Sequence, residues 1–428
     1  MKLILGTVLV AFALAEVHRI PIGHRPSLKQ QYLTEGRLPE YLARKEARLA
    51  KSAKLASAGQ PILDFDDMAY FNFIDLGTPR QTFMVFIDSG SSTLWVPDAT
   101  CGGGGQPTCG LYCKQTSHDN CLSFCRPECC TQKANSPFQL ANPCLSKRTF
   151  NSTLSSTYKS LGQSFDIVYQ TGEVKGNLAT DTFCLTNSTF CVTGQGFGQA
   201  TTIGSDFAAQ PMDGMLGLGW PSLAVNNLNP PMFNAWNQKL MDKPVFTVAL
   251  QGVGPQITQG GQLTIGDYDS TNCASTIDWV PLTSQTFWQF KLDGVKSGSY
   301  SAAPNGGWQA ISDTASTFIG APQAVIDGLA KVVGARYDDL FKSYFIDCDA
   351  EAPAITLTIN GKLYNITAKN YVIAAGPGLC QFAFFPLSGG GFYPSWMLGP
   401  PFIREYCGVH DLQSSRYGLA KSVQTGSH

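Results

Sequence analysis

The chain has 428 residues, of which 43% are hydrophobic and 14% charged, a composition typical of globular rather than disordered proteins. Its formal net charge is −1 and it has no run of Lys and Arg of the kind that follows phosphates, so we expect no nucleic-acid partner. The length is sufficient for two or more packed cores.

The N-terminus has the features of a secretory signal peptide. Lys2 supplies the positive start, residues 3–14 form an apolar stretch, and Ala13-Leu14-Ala15 is a small–x–small cleavage pattern. The stretch is too short to span a bilayer comfortably, although an N-terminal strand or anchor helix is the alternative. We therefore predict a signal peptide over residues 1–15 and a secreted or lumenal product (the exterior, a gut lumen or a lysosome) without a membrane span.

The segment that follows differs in charge from the rest of the chain. Residues 16–55 hold nine Lys or Arg against four Glu, whereas residues 56–428 hold 20 basic and 27 acidic residues. Residues 27–42 also have helical character, with Leu and Tyr recurring on one face. The segment is either a solvated charged helix or a basic leader, over residues 16–58, that is held on an acidic body by charge.

Beyond about residue 60 the pattern is that of an all-β protein. Short runs rich in β-branched and aromatic residues alternate with Gly, Asn and Asp turns. One helix is predicted, at residues 232–241. The clearest predicted strands are Tyr70–Ile74, Phe83–Ile87, Phe165–Tyr169, Val245–Leu250, Gln262–Ile265 and Ala354–Ile359.

Two segments of the body resemble each other. Asp88 lies in FIDSGSS and Asp313 in AISDTAST, and each is followed much later by Met-Leu-Gly, at residues 215–217 and 397–399. A repeat of this size predicts two related lobes that contribute one Asp each. Two carboxylates about 3 Å apart cannot both ionise, so they share a proton, and one can act as base while the other acts as acid. This pair suits hydrolysis of an amide by water without a metal or other cofactor.

The motifs around these residues resemble the pepsin and cathepsin D family of aspartic proteases. The resemblance is carried by YFNFIDLGTPRQTFMVFIDSGSSTLWVP (70–97), FNSTLSSTY (150–158), IVYQTGEVKGNLATDT (167–182), DGMLGLGWPS (213–222), GGQLTIGDYD (260–269), WVPL (279–282), QAISDTAST (309–317) and WMLGPPFIREY (396–406), and the leader (17–42) resembles the family propeptide. It implies a bilobal all-β acid-protease fold with a cleft between an N-terminal lobe (59–245) and a C-terminal lobe (246–428). It also implies an aspartic endopeptidase that acts at acid pH and is made as a zymogen.

The resemblance assigns a role to each residue of the site. Asp88 and Asp313 are the catalytic pair, in loops that also contain Gly90 and Ala315. Ser91 and Ser316 bond the outer carboxylate oxygens, and Ser89 and Thr314 bond across to the opposite loop. The flap, residues 165–182, has its turn at Thr171-Gly172 and carries Tyr169, whose hydroxyl points toward Trp95. Core packing is the alternative role for Tyr169 and Trp95.

Four residues depart from the family pattern. Ala315 stands where Gly follows the second Asp, and its Cβ lies where close approach of the backbone is wanted. The other three are Thr317 for Ser, Gln170 for Gly in the flap, and Pro400 for Asp. Because of Ala315, a catalytically silent member that binds peptides or proteins is the competing hypothesis.

The 14 cysteines predict disulfides in an oxidising compartment. Eight lie in an insertion over residues 101–144, where 105 connectivities are possible, and zinc binding by Cys121, Cys125 and Cys129 near His118 is the alternative. The resemblance implies the pairs Cys348–Cys380 and Cys184–Cys191, which leaves Cys273–Cys407. Sequons at Asn151, Asn187 and Asn365 predict N-glycosylation.

The predicted partners are polypeptides, which we expect to be held extended and cleaved between bulky apolar residues. The leader is expected to act as an intramolecular inhibitor, with Lys51 or Lys54 reaching the Asp pair, and to leave in acid so that the mature chain begins near residues 54–64. We expect a monomer.

Overall fold

The structure is a computed structural model that describes residues 17–24, 32, 35–40, 70–103, 144–169, 172–204, 207, 210, 212–251, 258–339, 341–376, 378–387 and 394–423. Several predictions concern residues outside these ranges. They are the signal peptide, most of the leader with Lys51 and Lys54, the interior of the cysteine-rich insertion with its zinc alternative, and Gln170 and Thr171 of the flap.

Strands dominate the described residues, and the predicted all-β, two-lobed fold is confirmed. In chain order the strands are β1 His18–His24, β2 Tyr70–Leu76, β3 Gln81–Asp88, β4 Trp95–Pro97, β5 Lys159–Tyr169, β6 Gly172–Leu185, β7 Cys191–Ile203, β8 Gly214–Gly217, β9 Val245–Leu250, β10 Thr258–Ile265, β11 Cys273–Pro281, β12 Ser284–Gln285, β13 Trp288–Leu292, β14 Gly294–Ser297, β15 Tyr300–Ala302, β16 Trp308–Ser312, β17 Ile319–Ala321, β18 Arg336–Asp338, β19 Ser343–Ile346, β20 Ile355–Ile359, β21 Lys362–Ile366, β22 Val372–Gly376, β23 Leu379–Phe382, β24 Phe384–Pro386, β25 Trp396–Leu398, β26 Tyr406–Asp411 and β27 Arg416–Ser422.

The α-helices in the described part of the chain are α1 Pro231–Asn237, α2 Gln323–Val333, α3 Ala368–Tyr371 and α4 Pro400–Ile403. α1 is the predicted helix, and it ends earlier than expected, shortly before Lys239 with its left-handed φ of 57°. α2 was not predicted, although it buries an amphipathic stripe and ends at Gly334 with a φ of 82°. None of the described helices is long and apolar enough to cross a membrane.

One large sheet connects the two lobes. Its order is β11-β27-β26-β9-β10-β1-β2-β3-β8-β4-β7-β6-β5. The leader strand β1 lies in the middle, antiparallel to β10 along its whole length and joined to β2 at Gly23–Phe71 and His24–Tyr70. The C-terminal lobe adds sheets of order β12-β13-β16-β25-β17-β24, β15-β14-β20-β21 and β18-β19-β23-β22.

The internal repeat seen in the sequence corresponds to two parallel strand pairs. β3 runs parallel to β8, with Asp88 opposite Gly217, and β16 runs parallel to β25, with Ser312 opposite Leu398. Each Asp therefore stands where a buried strand ends beside a Met-Leu-Gly segment. This placement brings one carboxylate from each lobe to the boundary between the lobes.

Disulfides fasten strands and loops away from this boundary. The sulphur atoms of Cys184 and Cys191, Cys273 and Cys407, and Cys348 and Cys380 lie 2.09, 2.11 and 2.12 Å apart. The first and third pairs are those that the resemblance implied, and the second is the pair that was left. The sequence left the insertion open; here its end residues Cys101 and Cys144 form a pair, with Cα atoms 5.7 Å apart.

Candidate active site

Two loops meet between the lobes, and their hydrogen bonds are reciprocal. The Ser89 N–H donates to Thr314 Oγ1 and the Thr314 N–H donates to Ser89 Oγ, both at 3.0 Å. The hydroxyl of Ser89 donates to Ser312 O at 2.9 Å, and that of Thr314 donates to Ile87 O at 2.8 Å. All of these groups are buried away from water, so the bonds between the loops satisfy polar groups that would otherwise lack a partner.

The crossed bonds hold two buried carboxylates close together. Asp88 is fully buried and Asp313 is 1% exposed. The Asp313 carboxylate lies against Gly90: a Cβ added there would come within 2.6 Å of Asp313 Oδ2. Because no side chain fits at Gly90, the absence of a Cβ is what allows this approach.

Backbone donors point at both carboxylates. Asp88 Oδ1 accepts from the Gly90 N–H at 2.8 Å, and Asp88 Oδ2 accepts from the Ser91 hydroxyl. Asp313 Oδ1 accepts from the N–H groups of Ala315 at 2.8 Å and Ser316 at 3.1 Å. These bonds stabilise the ionised form and fix the orientation of each carboxylate.

The electrostatics favour one shared proton. Burial raises the pKa of Asp88 well above its ordinary value, and the charge of Asp313 raises it further. Burial raises the pKa of Asp313 to about 6, against the lowering effect of the Ala315 and Ser316 N–H groups. Two carboxylates this close titrate as a pair, and below neutral pH the pair retains a proton that one member can donate.

A hairpin of the N-terminal lobe covers this pair. Tyr169 ends β5 and pairs with Gly172 at the start of β6, so it lies beside the turn of the hairpin. Its hydroxyl accepts from Trp95 Nε1–H at 2.9 Å, and both side chains are 1% exposed. The hydroxyl also interacts with Ser91 and with the charge of Asp88, so Tyr169 faces the carboxylates.

Comparison with known proteins agrees with this geometry. The profile of the eukaryotic aspartyl protease family matches residues 69–422. Aspartic protease 10 of Caenorhabditis elegans is 57% identical over 412 residues, covering 95% of this chain and 96% of its own. Cathepsin E of Cavia porcellus is 32% identical over 438 residues, covering 99% of this chain and all of its own.

The chain belongs to the eukaryotic aspartyl protease family. Its enzyme class is accordingly that of an aspartic endopeptidase, a hydrolase of peptide bonds in polypeptides.

One expected contact of the protease differs in the structure. The hydroxyl of Ser316 was expected to bond the outer oxygen of Asp313, but it donates to Phe318 O at 2.9 Å. A hydroxyl has one proton to donate, and here the nearby carbonyl takes it. Ser316 thus supports Asp313 through its backbone N–H, and the two loops differ at this point because Ser91 does donate its hydroxyl to Asp88.

Two of the departures from the family pattern are accommodated by local structure. Pro400 is buried at the first position of α4, where its missing N–H costs no helical hydrogen bond. Ala315 is 1% exposed and belongs to the apolar cluster that contains Tyr169 and Trp95, although it comes from the opposite lobe. Its methyl is therefore enclosed by protein on the side of the hairpin.

Some residues of the site were not found from the sequence. Phe207 packs edge-on against both Trp95 and Tyr169, with ring centroids 5.3 and 5.2 Å apart. Lys147 is 1% exposed and donates to Met212 O at 2.9 Å and to Gln210 O, which ties the end of the insertion to the segment before β8. Neither lies in a motif, since both contacts are made between segments far apart in the chain.

The sequons lie at the surface, away from the carboxylates. Asn187 and Asn365 are exposed. Asn151 is partly buried, and its Oδ1 accepts from the Thr153 N–H at 3.0 Å and from the Thr153 hydroxyl at 2.7 Å. The described residues contain no cluster of three His, Cys, Asp or Glu able to hold a metal.

Proposed function

We propose that the protease is an acid endopeptidase, made as a zymogen, in which Asp88 and Asp313 activate water between them. The observation that carries this proposal is the reciprocal set of bonds between Ser89 and Thr314, which holds two buried carboxylates in one place. Such a rigid arrangement of charged groups is costly in a folded protein and is typical of a catalytic site.

The chemistry follows from one proton shared by two carboxyl groups. The ionised carboxylate takes a proton from water as the oxygen attacks the scissile carbonyl carbon, and the neutral carboxyl protonates the carbonyl oxygen. The resulting diol collapses with cleavage of the C–N bond. The proton gained from water passes to the leaving nitrogen, and a diol hydroxyl returns a proton to the other carboxylate, so the pair is restored.

The hairpin of residues 165–182 acts as the flap of the protease, with Thr171 and Gly172 at its turn. Tyr169, Trp95 and Phe207 form an apolar group beside the carboxylates. Burial of apolar side chains against this group stabilises binding by roughly 25 cal/mol per Å². We therefore propose cleavage between bulky apolar residues of an extended chain.

The leader is proposed to inhibit the precursor, in a chain divided into signal peptide (1–15), leader (16–58), N-terminal lobe (59–245) and C-terminal lobe (246–428). Two contacts of described leader residues support this. Strand β1 pairs with β10 and β2, and Leu38 is fully buried beside Ala375, Phe345 and Leu379. The sequons and disulfides support a secreted or lumenal product, which we propose to be a monomer.

The alternative, a silent member that binds polypeptides in its cleft, is favoured by Ala315. Ala315 has a methyl group at the position that Gly90 occupies in the loop of the other lobe, and a Cβ does not fit at Gly90. Catalysis remains our proposal because the carboxylates, their donors and the crossed bonds are all present in spite of that methyl.

The test is digestion of a denatured protein at pH 4 by the acid-treated chain and by Asp88→Asn. We expect hydrolysis by the native sequence that a transition-state-analogue inhibitor of aspartic proteases blocks, and a loss of at least about 1,000-fold in the variant, about 4 kcal/mol of transition-state stabilisation. The control is thermal unfolding, which should be cooperative in both proteins. An inactive native chain that still binds the inhibitor would favour the binding alternative.

A further inference from the structure

The two carboxylates belong to strands of different sheets. Asp88 ends β3, which lies in the large sheet between β2 and β8. Asp313 follows β16, which lies in a sheet of the C-terminal lobe between β13 and β25. The spacing of the two carboxylates therefore depends on how firmly these two sheets are held against each other.

A tyrosine of the large sheet reaches the strand that precedes Asp313. Tyr417 lies on β27, between β11 and β26 of the large sheet, and is fully buried. Its hydroxyl donates to Oγ of Ser312, the last residue of β16, at 2.9 Å. The bond thus joins the sheet of Asp88 to the residue next to Asp313.

The ring of Tyr417 is fixed by its neighbours. It stacks on Phe290 of β13, with ring centroids 5.3 Å apart and 7° between the planes, and His410 lies edge-on at 5.1 Å. Gly408 leaves room for the hydroxyl, since a Cβ there would come within 2.4 Å of the hydroxyl oxygen. A side chain that is locked in this way by packing can hold its hydrogen-bond acceptor in one place.

Ser312 connects this contact to the junction of the two loops. Its carbonyl oxygen accepts from the Ser89 hydroxyl at 2.9 Å, and Ser89 Oγ accepts from the Thr314 N–H at 3.0 Å. The equivalent residue of the other loop is Ile87, whose carbonyl oxygen accepts from Thr314 and whose buried side chain is apolar. The two loops are therefore anchored differently, and only the Asp313 loop has a side-chain hydroxyl at this position.

We propose that Tyr417 is a positioning residue of the protease: its hydroxyl, through Ser312, holds the strand of Asp313 against the sheet of Asp88 and so sets the spacing of the two carboxylates. The assignment rests on the proposed function. Two carboxyl groups share a proton only while they stay within hydrogen-bond range, so a small displacement of either strand is costly for catalysis.

The titration of the two carboxyl groups reports their spacing. A wider separation weakens both their repulsion and their shared hydrogen bond, which brings the two apparent pKa values of the pair closer together. Burial raises the pKa of Tyr417 and lowers that of His410 to about 3, so neither group accounts for a change near pH 5. Among the described residues, the other titratable group that faces the pair is Tyr169, and burial raises its pKa as well.

The experiment removes one hydroxyl and keeps the ring. Tyr417→Phe is compared with the native chain and with Tyr371→Phe, the matched control. Tyr371 is also fully buried and donates its hydroxyl to a carbonyl oxygen, that of Pro353 at 2.7 Å, but it lies in α3, outside both loops. Steady-state kinetics of the acid-treated proteins give kcat and KM across pH, and chemical denaturation gives the stability of each protein.

We expect Tyr417→Phe to lower kcat by about fivefold and to leave KM within about twofold of the native value, because the lost bond acts on the carboxylates and not on contacts with substrate. The two limbs of its kcat profile should approach each other by roughly one pH unit in total. Tyr371→Phe should lose a similar amount of stability and keep both kcat and the profile. An equal fall in kcat in Tyr371→Phe, or identical profiles for Tyr417→Phe and the native chain, would overturn the proposal.

A double-mutant cycle tests whether Tyr417 acts through Ser312. Ser312→Ala should lower kcat as Tyr417→Phe does, and the double variant should be no slower than the slower single variant, because both changes break the same bond. If the two decreases multiply in the double variant, Tyr417 acts by another path and the proposal is wrong.

A measurement without turnover separates this proposal from the proposed function. A transition-state-analogue inhibitor that bonds to both carboxyl groups is titrated calorimetrically into each protein across the same pH range. An inactive native chain whose binding profile narrows in Tyr417→Phe would refute the proposed function and support the positioning role. A binding profile that is the same in both proteins would refute the positioning role, whether or not the chain is active.

Discussion

At the scale of single residues, Thr314 shows how much one hydroxyl carries in this protein. Its Oγ1 accepts from the Ser89 N–H and donates to Ile87 O, so it satisfies two buried backbone groups of the opposite lobe. Tyr417 adds support from β27, since its hydroxyl donates to Ser312 Oγ at 2.9 Å. The junction between the Asp88 and Asp313 loops is therefore polar although it is buried.

Thr314→Val is the sharpest test of that junction. Valine keeps the shape but leaves the Ser89 N–H and Ile87 O without this partner, at about 1–3 kcal/mol for each buried group. We expect a lower midpoint of urea unfolding and a decrease in kcat of at least about tenfold. Thr314→Ser is the matched control and should keep most of the stability and most of kcat. A stable and fully active Thr314→Val variant would contradict this role.

At the scale of elements, the strand β5 places its last side chain, Tyr169, beside the carboxylates of Asp88 and Asp313. Trp95→Phe should remove the donor to Tyr169 and leave the apolar contact with Phe207 nearly unchanged. We expect the buried hydroxyl to lose its orientation and kcat/KM to fall by roughly fivefold, for a bond worth about 1 kcal/mol. The check is kinetics beside thermal unfolding, and an equal fall in Phe207→Leu would show that packing, not the bond, is responsible.

Strand β26 carries a histidine, His410, that packs among aromatic rings. His410 stacks on Phe246 at 4.2 Å, touches Trp288 edge-on, and is fully buried. Its Nδ1 donates to Phe246 O at 3.3 Å, and burial lowers its pKa to about 3. The unfolded chain therefore binds the proton first as the pH falls below 6.5, and stability is lost between about pH 6.5 and pH 3.

His410→Phe should remove this loss. We expect the variant to gain about 3 kcal/mol of stability at pH 4 beyond any change measured at pH 7, because each pH unit in that window is worth about 1.4 kcal/mol. Chemical denaturation at both pH values provides the measurement. An equal gain at the two values would mean that the substitution acts by packing alone.

The elements also show what the sequence could and could not predict. The predicted strand that ends at Asp88 is present as a continuously buried apolar run, whereas the strand that ends at Tyr169 has one buried face over its last residues. The helix α2 was missed, since its stripe of Val325, Ile326, Leu329 and Val333 contains β-branched residues that also suit strands. The Ser316 hydroxyl was misassigned because a choice between two acceptors a few ångströms apart depends on loop geometry.

At the scale of the whole molecule, the charge difference between leader and body predicts processing in acid. Protonation of carboxylates weakens the attraction, so the precursor should be cut faster at pH 4 than at pH 7, with a new N-terminus near residues 54–64. Gel analysis with N-terminal sequencing measures this. Equal rates at the two pH values would exclude the charge mechanism.

The described part of the leader is held by contacts that acid does not weaken. Leu38 packs on the C-terminal lobe without a charge, and Arg37 pairs within the leader, with Glu35 and Glu40. Leu38→Asp should therefore accelerate processing at pH 5, where the charge effect is incomplete, and the exposed neighbour change Arg37→Lys should not. A rate unchanged by Leu38→Asp would assign the retention of the leader to other contacts.

The position of β1 has a consequence for the last step of the proposed activation. Once the chain is cut anywhere between His24 and Tyr70, β1 is no longer part of the same molecule as β2, yet it still fills the space between β10 and β2. Binding of the β1 peptide to the rest of the protein is then an equilibrium between two molecules, described by a dissociation constant and dependent on concentration. A cut precursor kept concentrated would remain largely occupied by its own leader, and dilution into a larger volume would release the peptide and raise the activity per molecule.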